Sequence, residues 1–150
     1  MKKKVLILED DILIGMNIEE SLVRIANECR VIVELTDSIY AADEKLASMQ
    51  KGNDDLRCVT VDLNLNPSGL SSTQKKRSNL AILTGWVWVK DSILDNDYWD
   101  NVHIIIFSGF INEVVSCKEY TAFRNKKRIS LVKKDEDGLA ELKRIIRRHV

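Results

Sequence analysis

In CVTVDLNLN, residues 58–66, an apolar run rich in β-branched residues closes on a single carboxylate, Asp62. An unbroken run of that kind fits a strand covered on both faces, as in a parallel sheet packed between helices. Outward from it, KVLIL (4–8), RVIVEL (30–35), RCVTVDL (57–63), VHIIIF (102–107) and ISLV (129–132) share its character, which predicts five strands. Helical spacing separates them: Ile14, Ile18, Leu22 and Ile25; then Ala41, Leu46 and Met49; and finally Leu139, Leu142, Ile145 and Ile146. The last of these segments opens on acidic DEDG and closes on basic KRIIRRH, matching the dipole of a helix. A βα unit repeated five times is an α/β, doubly wound (βα)5 parallel sheet with right-handed crossovers. Ligands of such sheets bind beyond the carboxyl ends of the strands, so the polar residues there carry the function.

Composition bounds the rest. The 150 residues, 45% hydrophobic, support one core and one domain spanning 1–150. Basic and acidic residues balance at 23 each, which removes any global pull toward nucleic acid or an anionic membrane. Cys29, Cys58 and Cys117 are odd in number and set among apolar residues, as reduced core cysteines of a cytoplasmic protein would be. The apolar run after the first lysines is too short for a signal peptide or a membrane span.

The strand ends collect Glu9, Asp10 and Asp11 after the first strand, Asp62 and Asn64 after the third, Ser108 and Gly109 after the fourth, and Lys133 and Lys134 after the fifth. Singly, each has an ordinary explanation as a helix cap, a turn residue or a solvated charge. Together they fall on one edge, where clustered carboxylates raise one another's pKa unless a cation joins them. A hard divalent ion with oxygen ligands suits that set, Mg²⁺ first and Mn²⁺ as its substitute.

With these pieces in this order, the chain resembles the receiver domain of two-component response regulators. The acidic pair of LILEDD, the acceptor strand VTVDLN, the hydroxyl end of IIIFSG and the lysine of ISLVKK carry the resemblance over nearly the whole length. It implies a flavodoxin-like fold with strand order 2-1-3-4-5. It also implies Asp62 as the phosphorylated aspartate, and Glu9, Asp10, Asp62 and the backbone carbonyl of Asn64 as holders of Mg²⁺. Ser108 would bond a phosphoryl oxygen and Lys133 would pair with the phosphoryl group. The partners implied are a histidine kinase or histidine phosphotransfer protein, and a downstream target or a second copy. The sequence stops soon after the last helix, so a stand-alone receiver without an output domain is expected, acting by binding rather than as an enzyme on other substrates.

Three departures stand out. Counting from Lys133, the family's inward-turning aromatic is replaced by Ser130, and the proline that follows the lysine is replaced by Lys134. A cis peptide bond there is not expected, because without proline it costs about 2.5–4 kcal/mol. The third departure is an insertion at about 67–84, which places Gly85 23 residues after Asp62 and reads as a polar, flexible, basic loop. Lys75, Lys76 and Arg77 would present positive charge beside the acceptor; without interleaved aromatics they argue against nucleic acid. Trp86, Trp88 and Trp99 read as packing residues near the third helix.

Two other functions compete. One is a degenerate receiver that works unphosphorylated as an interaction module. The other is an aspartyl-nucleophile phosphohydrolase, against which Asn64 argues: a carboxamide two positions after the nucleophile cannot protonate a leaving group.

Overall fold

The computed structural model describes residues 1–150. Five parallel strands form one sheet: β1 (Lys3–Leu8), β2 (Val31–Thr36), β3 (Asp55–Val61), β4 (His103–Ser108) and β5 (Ile129–Lys133). Their order is β2-β1-β3-β4-β5, as expected. All of β4 is buried, as are the last four residues of β1 and of β3, so the interior strands have no solvated face to encode as alternation. Alternate residues instead feed two cores. Leu6, Leu8, Val59, Val61, Ile104 and Ile106 point to one face; Val5, Ile7, Cys58, Ile105 and Phe107 point to the other.

The second face is covered by α1 (Ile12–Ser21), α2 (Val23–Cys29) and α8 (Gly138–His149). The first expected helix is thus two, divided at Leu22, and Ser21 Oγ bonds back to the Ile18 carbonyl just before the break. The first face is covered by α3 (Ile39–Gly52) and α5 (Thr84–Val89), which runs on into a π-helical turn at Lys90–Leu94 and a 3₁₀ turn at Asp97–Trp99. Trp86, Trp88 and Trp99 are all buried there, in the packing role expected of them. Two short helices, α6 (Ile111–Val115) and α7 (Lys118–Ala122), link β4 to the 3₁₀ turn Lys126–Arg128 that leads into β5.

The insertion is a folded element rather than the flexible loop expected. Ser71 caps α4 (Ser72–Arg77) through a capping box with Gln74. Arg77 then bolts this helix to two others. Its guanidinium holds Asp91 at 2.6 and 3.0 Å and Glu119 at 2.7 and 3.1 Å. Gln74 Nε2 also donates to Asp91, and Trp86 Nε1 to Glu119. Arg77 therefore does not present the free charge expected of it, whereas Lys75 and Lys76 are exposed and unpaired.

Candidate acidic centre at the strand ends

The register of the sheet brings the first residues past β1 and β3 together. Glu9, buried, donates its N–H to the Thr36 carbonyl, and Asp62 donates its own to the Leu8 carbonyl, which ties each loop to the neighbouring strand. Asp10 Oδ2 accepts from the Asn66 N–H at 3.1 Å, so the loop after Asp62 is tied to the acidic pair. Carboxylate oxygens of Glu9, Asp10 and Asp62 lie within 4.8 Å of one another. Asp11 is no part of that cluster: it caps α1 through the N–H groups of Leu13 and Ile14.

Two glycines set the walls. A side chain at Gly85 would place its Cβ 1.8 Å from the Asp62 carbonyl oxygen, and one at Gly138 would lie 2.2 Å from that of Lys133. Only glycine lets α5 and α8 start this close to the loops they flank.

The positive charge comes from Lys134. Its ammonium lies 2.6 Å from Glu9 Oε2 and 2.9 Å from Asp62 Oδ2, and 5.8 Å from the centre of the Phe107 ring. Lys133, the lysine expected in this role, ends β5 opposite Ser108 with its side chain exposed. The expectation is corrected by one residue, and the signal was present: β1 and β3 also deliver their site residue at the first position beyond the strand. The comparison with the family moves with it. The position three before the lysine is Leu131, and the residue after it is Asp135; neither is the usual aromatic or proline. Ser130 instead meets the His103 ring, Nε2 to Oγ 2.8 Å. No peptide bond is cis.

Burial pushes the Glu9 carboxyl up, with Asp62 adding to the effect, while the hydrogen bond from Lys134 works against it. Burial works to lower Lys134, but its bonds to Glu9 and Asp62 outweigh that and hold its pKa above the usual lysine value. Ser108 is fully buried at the end of β4; its Oγ accepts from the Phe110 N–H at 3.1 Å, and its carbonyl accepts from the Lys134 N–H. The Asn64 carbonyl accepts no hydrogen bond from the protein.

Among solved structures, the chain is similar to the Salmonella typhimurium response regulator RcsB, at 15% identity and a TM-score of 0.61, covering 97% of this chain and 58% of that one. It is also similar to the chemotaxis response regulator CheY4 of Vibrio cholerae, at 16% identity and a TM-score of 0.58, with both chains fully covered. The fold is that of a response-regulator receiver domain. The chain spans little more than half of RcsB. No family model matches the sequence, and no curated protein does. No helix is long and apolar enough to cross a membrane.

Proposed function

We propose that the protein is a phospho-accepting receiver in two-component signalling, with Asp62 as the acceptor. The observation that carries this reading is the convergence of Glu9, Asp10 and Asp62 within 4.8 Å at the strand ends, with Lys134 bonded to two of them. The donor set fits a hard divalent cation: three carboxylates converge, and the Asn64 carbonyl, two residues after Asp62, has no hydrogen bond to give up. Glu9, Asp10, Asp62 and that carbonyl would hold Mg²⁺, whose charge would offset the charge on the transferred phosphoryl oxygens.

An oxygen of Asp62 attacks the phosphorus of a phosphorylated histidine in line. The new P–O bond forms as the bond to the imidazole nitrogen breaks, and position and charge do most of the work. Lys134 passes from the Asp62 carboxylate to the phosphoryl oxygens. The Ser108 hydroxyl can donate to one of those oxygens while still accepting from Phe110, because a hydroxyl has one donor and two lone pairs. Any movement of Ser108 is thereby handed to Phe110 and the start of α6. Phosphate biases that movement through bonds formed in one arrangement only.

A histidine kinase or phosphotransfer protein would dock over the exposed Ile12, Leu13 and Met16, which begin α1 just after Glu9 and Asp10. The exposed Lys75 and Lys76 would steer an acidic partner in a salt-dependent way. The chemistry is confined to the protein's own phosphorylation and dephosphorylation, and the output is a change of binding partner.

Incubation with acetyl phosphate and Mg²⁺, followed by intact mass measurement, tests the reading. One phosphoryl group is expected on the wild type and none on Asp62→Asn. An unchanged wild-type mass would leave the fold as an unphosphorylated interaction module.

A further inference from the structure

At the end of the sheet opposite Asp62, a recess of about 390 Å³ opens between the start of β5 and the last turns of α8. Lys127 lines it from the 3₁₀ turn, and Arg144 and Arg148 line it from α8. The Ser130 hydroxyl and the stacked imidazoles of His103 and His149, whose centroids are 3.7 Å apart, also line it, with Leu131 and Ile145 as its apolar part. Glu141 is the one acid in the lining, and Arg144 grips it with two hydrogen bonds of 2.8 and 2.6 Å. Lys127 and Arg148 make no ion pair and no side-chain hydrogen bond.

Cations near the end of α8 offset the helix dipole, which accounts for arginines on that helix. It does not account for Lys127, which belongs to another element and lines the same space. Three cations against one carboxylate leave two positive charges facing a concave surface. A second copy docked through the same face would set those charges against themselves, since a two-fold contact pairs a patch with itself.

We propose that this recess binds a diphosphate group, as in inorganic pyrophosphate or a nucleoside diphosphate. A polyanion answers the positive excess, the space exceeds what one phosphate fills, and guanidinium and ammonium donors suit its oxygens. The site is separate from the acceptor: six residues of β4 at a rise of about 3.3 Å put His103 roughly 17 Å from Ser108.

Titration calorimetry at constant ionic strength and without divalent metal tests this, using pyrophosphate, ADP and sulfate. Saturable binding of pyrophosphate, clearly tighter than that of sulfate, is expected. Arg148→Ala and Lys127→Ala should each weaken it about tenfold, the worth of one charge-assisted contact. Both side chains are exposed, so the variants are expected to fold, with circular dichroism as the check. ADP binding tighter than pyrophosphate identifies a nucleotide site, and equal binding identifies a site for the diphosphate alone. The proposal is overturned if pyrophosphate binds no better than sulfate, if neither variant weakens it, or if Asp62→Asn abolishes it, which would place the ligand at the acceptor.

Discussion

Two carboxylates share one ammonium at the acidic centre, and neither has much water to fall back on: Glu9 side-chain exposure is 3% and that of Asp62 is 11%. Removing the shared partner strands both charges, which in a buried pair costs about 3 kcal/mol. Lys134→Ala is therefore expected to lower the melting temperature in metal-free buffer. It should also slow phosphorylation by acetyl phosphate about a hundredfold, the usual loss when one electrostatic stabiliser of a transition state is removed. Lys133→Ala should change neither, because that side chain is solvated at the end of β5. Measuring both variants side by side decides between the two lysines, and a larger loss in Lys133→Ala would reverse the assignment.

The elements that surround the site are held by a few long-range groups. Arg77 is the bolt that fixes α4 to the π-helical turn and to α7. Arg77→Ala leaves Asp91 and Glu119 without their shared cation; with all three side chains about one-third exposed, the expected loss is about 1–2 kcal/mol. Trypsin should then cut sooner at Lys75 and Lys76, and an unchanged cleavage rate would mean that α4 is held by other contacts. On the opposite face, His103 of β4 stacks on His149 of α8. Burial first, then the charges of His149, Arg128 and Arg148, hold His103 down to about 4. The unfolded chain, with an ordinary histidine near 6.5, binds more protons between those values, so this contribution is complete above about pH 6.5 and is lost as pH falls toward 4. It should amount to about 2 kcal/mol after allowance for partial screening. Urea midpoints across that range should fall with pH in the wild type and fall less in His103→Gln.

Across the whole molecule, equal numbers of acidic and basic residues conceal a division by position. Glu9, Asp10 and Asp62 meet beyond the carboxyl ends of the strands, while Lys127, Arg144 and Arg148 gather at the other end of β5 and α8. A divalent cation that binds only the folded acidic centre stabilises the entire fold, by about 2.7 kcal/mol at a hundred times its dissociation constant. Because Lys134 already offsets part of the repulsion, the gain should be larger in Lys134→Ala than in the wild type. Thermal melts with millimolar Mg²⁺ or Mn²⁺ check this, and a midpoint indifferent to both ions in both proteins would remove metal from the proposed chemistry.

By itself the sequence determined five strands and the placing of Glu9, Asp10, Asp62 and Ser108 at their ends, because burial on both faces demands uninterrupted Val and Ile runs and the break in each run is visible locally. The resemblance supplied the strand order. Tertiary structure alone decided that Lys134 rather than Lys133 reaches Asp62, since adjacent residues at a strand end differ only in direction. It also decided that Arg77 is consumed by Asp91 and Glu119, and that Lys127 lines one recess with Arg148. These last are pairings between groups distant along the chain, and side-chain direction across such distances is set by packing, which no local pattern records.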